Sequence, residues 1–150
     1  MAKVETQLTQ ELAGVLQGQT VVFLSAVEPE SKQIYSTALS WVYAIDESTI
    51  RFAIDSKSDF VKIIDQDPRV VLNFIGLETS YSISGEAAVK VRKTEELTLK
   101  MALIEVKVKE LRDIMFYGGK IVQEPAFVKT YKPELVKQLD DEIRGALHNV

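Results

Sequence analysis

The chain of 150 residues contains no cysteine and only one histidine. Without cysteine there is no disulfide framework, no thiolate zinc site and no cysteine nucleophile, and the composition fits a reducing compartment, so a cytoplasmic location is expected. The one histidine, His148, stands near the end of the sequence. A histidine-based catalytic triad or a multi-histidine metal site is not expected, and His148 reads as a solvated tail residue. No stretch approaches the ~20 consecutive apolar residues of a membrane-spanning helix. The opening MAKVETQLTQELAGVL lacks the apolar centre of a signal peptide. Positive charge is scarce too: 18 lysines and arginines against 22 aspartates and glutamates leave a formal net charge of -4. No basic field is present to draw nucleic acid or an anionic membrane surface.

What is present is the balance of an ordinary globular chain, 46% hydrophobic and 27% charged, at a length that suits one domain over 1–150. Val4, Leu8, Leu12 and Leu16 recur every four residues ahead of Gly18, which predicts an N-terminal helix over about 4–17. TVVFLSAV (20–27), IYSTALSWVYAI (34–45) and TIRFAI (49–54) read as three strands, the second and third forming an antiparallel hairpin through DES. RVVLNFIG (69–76) and SYSISGEAAVKV (80–91) follow as the fourth and fifth, with Gly85 marking a bulge or bend. KTEELTLK (93–100) offers Thr94 as the N-cap of a short helix. IEVKVKEL (104–111) alternates apolar and charged residues as a half-exposed sixth strand. The stretch 120–131 is irregular, and Pro133 opens a C-terminal helix over about 133–147 striped by Leu135, Leu139, Ile143 and Leu147. The fold expected is mainly β: a six-stranded antiparallel barrel with helices flanking its mouth or edges.

One stretch is organised for more than connection. In SKSDFVKIIDQDP (56–68), Ser56 and Asp59 have capping-box spacing, with Ser58 and Asp55 as rival caps. Phe60, Val61, Ile63 and Ile64 fill one face of two helical turns, and Asp67 before Pro68 ends them. A helix start of this kind presents free N–H groups and suits a phosphate, with Lys57 and Lys62 adding charge. The plainer alternative is a capped connector that binds nothing. Elsewhere, Asp140, Asp141 and Glu142 read as a solvated helix face, and Trp41 as core or dimer-interface packing. Gly118 and Gly119 lack the strand–loop–helix context of a nucleotide fingerprint.

This order of parts, from TVVFLSAV through STALSWVYAIDESTIRFAIDSKSDFVKIIDQDPRVVLNF to SISGEAAVKV, resembles the pyridoxamine 5′-phosphate oxidase-like proteins, small FMN-binding split barrels, over about half the chain. The resemblance implies a six-stranded split barrel, a homodimer, and FMN in a groove between subunits. It implies that the second-strand backbone at Ala38, Leu39, Ser40 and Trp41, with Thr37 adjacent, borders the isoalloxazine ring. Ala53, Ile54, Asp55 and Ser58 would meet the ribityl chain and phosphate, with Lys57 and Lys62 nearby. The chain departs from the oxidase at four places: Ala38 and Tyr43 stand where it has an arginine and a lysine, and Asp59 and Phe60 where it has an arginine–lysine pair. Charge-assisted hydrogen bonds are thereby removed, unless Lys57, Lys62 or Arg51 replaces them. Pyridoxamine phosphate oxidation is not the expected activity.

Two function classes follow. The first is an FMN-dependent redox protein acting on a small substrate, its chemistry residing in the flavin, with haem or a deazaflavin as alternative cofactors. The second is a non-enzymatic homodimeric barrel that has lost FMN and binds another ligand or a protein partner. No catalytic acid or base is identifiable in either case.

Overall fold

The computed structural model describes residues 4–150. In chain order the elements are β1 (Val4–Glu5), α1 (Gln10–Val15), β2 (Val22–Val27), β3 (Ile34–Leu39), β4 (Val42–Ala44), β5 (Thr49–Asp55), α2 (Asp59–Gln66), β6 (Arg69–Gly76), β7 (Thr79–Val91), β8 (Met101–Asp113) and α3 (Pro133–Asn149). The sheet runs in the order β3-β2-β6-β7-β8-β5-β4, and β1 pairs with β8 off this path. Every pairing is antiparallel.

The two end strands of that order, β3 and β4, are consecutive in the chain, so the peptide itself links the sheet's edges across Ser40 and Trp41. Counted as one bent strand, they make six barrel strands plus the short β1, in agreement with the expected split barrel. The expected hairpin is half right. Only Val42–Ala44 pairs with β5, whereas Ile34–Leu39 turns away to pair with β2 over its whole length. The reason lies in the alternation of side chains. Leu39 and Val42 both enter the barrel core although three residues apart, so the break contains one residue more than regular alternation allows. Trp41 consequently faces outward with Tyr43, under α3.

Inside the barrel, Val22, Leu24, Ile50, Phe52, Leu72, Ile83, Ile104 and Val106 are fully buried. A second apolar cluster lies outside it, where Trp41, Tyr43, Ala53 and Leu103 receive Leu139, Ile143 and Leu147 of α3. Leu135, expected in the same stripe, stays exposed. Gly85 sits at the expected irregularity, with the register of β7 against β8 shifting between Ser84 and Gly85. A Cβ on Gly85 would come within 2.6 Å of the Lys107 carbonyl oxygen.

Three expectations are corrected. The N-terminal helix covers Gln10–Val15 rather than about 4–17, because Thr9 caps it by accepting from the Leu12 N–H and Val4–Glu5 pairs with β8 instead. Leu8, Leu12 and Leu16 are nevertheless all buried. No helix forms over 93–100. Thr94 is fully buried and pins a loop instead, donating to the Leu99 carbonyl (2.7 Å) and accepting from the Met101 N–H (2.9 Å). The acidic face of α3 is not simply solvated: Asp140 accepts from the Trp41 indole, and Glu142 from the Thr98 backbone and hydroxyl. Among the described residues no helix is long and apolar enough to cross a membrane.

Candidate functional site

The break between β3 and β4 brings together two segments distant in sequence. The Ala53 N–H donates to the Trp41 carbonyl (3.1 Å), and the Val42 N–H to the Ser40 carbonyl (2.9 Å). Residues 38–41 therefore run beside the end of β5, and Thr37, Ala38, Leu39, Ser40 and Trp41 share a neighbourhood with Ala53 and Ile54. Leu39, Trp41, Ala53 and Ile54 are buried, so a ligand would meet chiefly their backbone. Ala38 is exposed, and Thr37 and Ser40 are half-buried. Neither hydroxyl has a partner within the described residues, which leaves both able to bond a polar ring edge.

A cleft of about 400 Å³ opens on this wall, lined by Val21, Ala38, Leu39, Ser40 and Trp41 on one side and by residues 127–131 on the other. The facing segment is held in place electrostatically. Lys129 Nζ lies 2.6 Å from Asp140 Oδ1 and 4.4 Å from the centroid of the Trp41 ring. The Trp41 indole N–H donates to the same Asp140 oxygen at 2.8 Å. The Lys129 side chain is only 15% exposed and that of Asp140 37% exposed, so the pair is partly screened by solvent. Beneath it, burial raises the Tyr43 phenol above its ordinary pKa, and the Asp140 charge adds to the effect. His148 is exposed, as expected, but meets the edge of Tyr43 with ring centroids 5.5 Å apart.

The second segment is the start of α2. Ser58, not Ser56, is the N-cap, its hydroxyl accepting from the Phe60 N–H at 3.2 Å. Asp55 shapes the loop before it: its side chain accepts from the Lys57 N–H and its carbonyl from the Ser58 N–H. Phe60 is buried with Val61, Ile63 and Ile64. Lys57 and Lys62 are exposed, and among the described residues their ammonium groups have no partner. Arg51 does not serve this end. It bonds Glu105 at 3.0 Å and the Leu147 carbonyl at 2.9 Å, tying β5 to β8 and α3. Asp67 and Arg69 of the D-P-R step pair with each other, and the Arg69 hydrogen bonds hold the Asp67 carboxyl at about 2.

Residues 127–131 and Asp140 were missed by sequence reasoning. Their contacts to Trp41 span 99 residues in the case of Asp140, a pairing that no periodicity carries. The available signal was compositional: FVKTY places two aromatic rings in a stretch too irregular to bury them. A larger depression of about 840 Å³ lies elsewhere, on the outer sheet face, lined among others by Ser25, Val27, Ile34, Val71 and Gly85 and rimmed by Arg69, Glu86, Lys109 and Glu110. No candidate site residue lines it. Among the described residues no cluster of His, Asp or Glu is suited to a metal ion.

Comparison with known proteins agrees with this architecture. The sequence model described as pyridoxamine 5′-phosphate oxidase matches residues 8–115. The crystal structure of HupZ from Group A Streptococcus is similar, with a TM-score of 0.61 at 12% identity over 77% of this chain and 99% of that one. General Stress Protein 26 of Bacillus anthracis strain Sterne gives 0.56 at 15% identity, over 71% and 94%. An F420 reductase gives 0.54 at 18% identity, over 65% and 93%. At these identities the structures establish the shared fold. No curated protein matches the chain.

Proposed function

The chain belongs to the pyridoxamine 5′-phosphate oxidase family, and on that footing we propose that it is a flavin-binding split-barrel protein, an FMN-dependent homodimer of the cytoplasm with a redox role toward a small substrate. The observation that supports this most directly is the junction of Trp41 with Ala53, which makes one wall from the second-strand backbone and the end of β5. The Ala38–Trp41 part of that wall lines a cleft within the ~300–1,000 Å³ range of small-molecule sites.

Thr37, Ala38, Leu39, Ser40 and Trp41 would border the ring, the two free hydroxyls bonding its polar edge and the apolar residues excluding water. Ala53 and Ile54 would flank the ribityl chain, and Asp55, Lys57, Ser58 and Lys62 lie toward its far end. A bound flavin supplies the electron transfer, while the protein contributes position and electrostatics. A homodimer would cover Phe23, Val27 and Ile34, which are exposed on the outer sheet face.

A second reading, a barrel without flavin that binds another ligand or a partner protein, is favoured by one observation. Lys129 and Asp140 hold residues 127–131 across the wall that the ring would use. An absorption spectrum of the purified protein, followed by FMN titration of colourless material, separates the two. Flavin bands or micromolar binding uphold the first. No bands and no binding at high micromolar FMN uphold the second.

A further inference from the structure

We infer that the site takes its ligand by the ring and leaves the phosphate end ungripped, so that it accepts the planar ring system with or without a phosphate. This rests on the flavin reading above and narrows it to a ligand class: tricyclic flavin-type rings irrespective of the group that ends their side chain.

The reasoning begins with backbone donors at the start of α2. An anion held by a helix N-terminus needs free N–H groups. Here the Ser56 N–H donates to the Lys100 carbonyl, Lys57 to the Asp55 carboxylate, Ser58 to the Asp55 carbonyl, Phe60 to the Ser58 hydroxyl and Val61 to the Ser58 carbonyl. Of residues 56–61 only Asp59 has an unengaged N–H, and it carries a carboxylate itself. The loop has used its donors to build its own turn.

The cations tell the same story. Arg51 is committed to Glu105 and the Leu147 carbonyl. Lys100, whose carbonyl touches the loop, directs its ammonium to the carbonyls of Glu95 (2.6 Å) and Leu97 (2.9 Å). Lys57 and Lys62 remain, both exposed, beside the exposed carboxylates of Asp55 and Asp59. Two exposed ammonium groups against two exposed carboxylates leave little net attraction for a dianion, and water screens what remains. Phe60, the next residue of the helix, is buried and adds no charge. The ring wall differs. The cleft is lined by the unpartnered hydroxyl of Ser40 and by apolar surface at Ala38 and Val21, all suited to a neutral planar group.

The test is calorimetric titration of the purified protein with riboflavin and with FMN under the same buffer and salt. The expected result is that the two dissociation constants agree within about threefold, since no charge-assisted bond distinguishes them. FMN binding about 30-fold or more tighter than riboflavin would overturn the inference while upholding the flavin reading, because it requires a gripped phosphate. Failure of both to bind would overturn the flavin reading and this inference with it. A single variant tests the position of the phosphate end. Asp59→Arg is a surface change that places a cation at the first residue of α2, and it should favour FMN over riboflavin by several-fold. An unchanged ratio in that variant would overturn the placement of the phosphate at the helix start.

Discussion

Arg51 is the most informative single side chain, because it trades a ligand-binding role for a structural one. Its guanidinium joins Glu105 to the last turn of α3, where the Leu147 carbonyl lacks a helical partner. The side chains of Arg51 and Glu105 are 14% and 12% exposed. Arg51→Ala should therefore destabilise the protein by about 2 kcal/mol, less than a fully buried pair because Lys107 also lies 3.7 Å from Glu105. Burial raises the Glu105 carboxyl, but the Arg51 hydrogen bond, with Lys107, Lys90 and the Arg51 charge, outweighs it and sets the pKa below the ordinary value. A depressed folded-state pKa means the stabilisation is complete above the unfolded pKa and is lost as pH falls through the folded one. The gap in urea midpoint between the native protein and Glu105→Gln should thus be widest at neutral pH and shrink as the solution is acidified below about pH 4.5. A gap independent of pH would show that the pair carries no such linkage. Two glycines give a sharper contrast. Gly85→Ala meets a backbone carbonyl and should cost about 2 kcal/mol, whereas Gly145→Ala in α3 meets nothing within 4 Å and should stabilise by about 0.5–1 kcal/mol. Chemical denaturation of both variants checks the pair.

At the scale of elements, α3, the 127–131 segment and the bent strand meet at Trp41 beside the cleft. Trp41 is the sole tryptophan, so its emission reports that junction without labelling. Lys129→Ala removes both the ion pair with Asp140 and the cation over the indole ring. We expect Trp41 to become more accessible to acrylamide quenching in that variant, with global stability changed by only about 1 kcal/mol or less. Unchanged quenching would mean that packing by Phe127 and Tyr131, not the ion pair, holds the segment. Ile143→Ala probes the other side of the same contact. Ile143 is 1% exposed in the outer apolar cluster, and its truncation should cost about 2–4 kcal/mol and also expose Trp41.

For the molecule as a whole, the outer sheet face bears on assembly. Phe23, Val27 and Ile34 lie exposed on one face of the β2–β3 hairpin, and the charges rimming the nearby depression have both signs, which suits a face meeting its own copy. In sedimentation the native chain should run at about twice its 16.8 kDa mass. Ile34→Lys should shift it toward the single-chain mass. Ile34 is 67% exposed, so the same variant should alter the stability of the isolated fold by no more than about 0.5 kcal/mol. A native protein already at 16.8 kDa would rule out the homodimer.

Much of this protein was legible in order along the chain. Strands β2, β5, β6, β7 and β8, the bulge at Gly85, the helix ended by Asp67 and Pro68, and Pro133 in the first turn of α3 all follow from periodicity and backbone preference, which act over a few residues. Of the periodic stripe Val4, Leu8, Leu12 and Leu16, the three leucines are buried although the helix around them is shorter, while Val4, which pairs with β8, is exposed. The tertiary structure alone decided three things: that IYSTALSWVYAI breaks to join both edges of the sheet, that Thr94 caps a loop rather than a helix, and that Lys129 and Asp140 close over Trp41. The first and third depend on partners tens of residues away, as in the 99 residues between Trp41 and Asp140, whereas Thr94 bonds close by, at Leu99 and Met101, in a loop that periodicity does not describe. A strand carries its preference for pleating in its own sequence, but its choice of neighbour is made by the barrel that must close around a shared core.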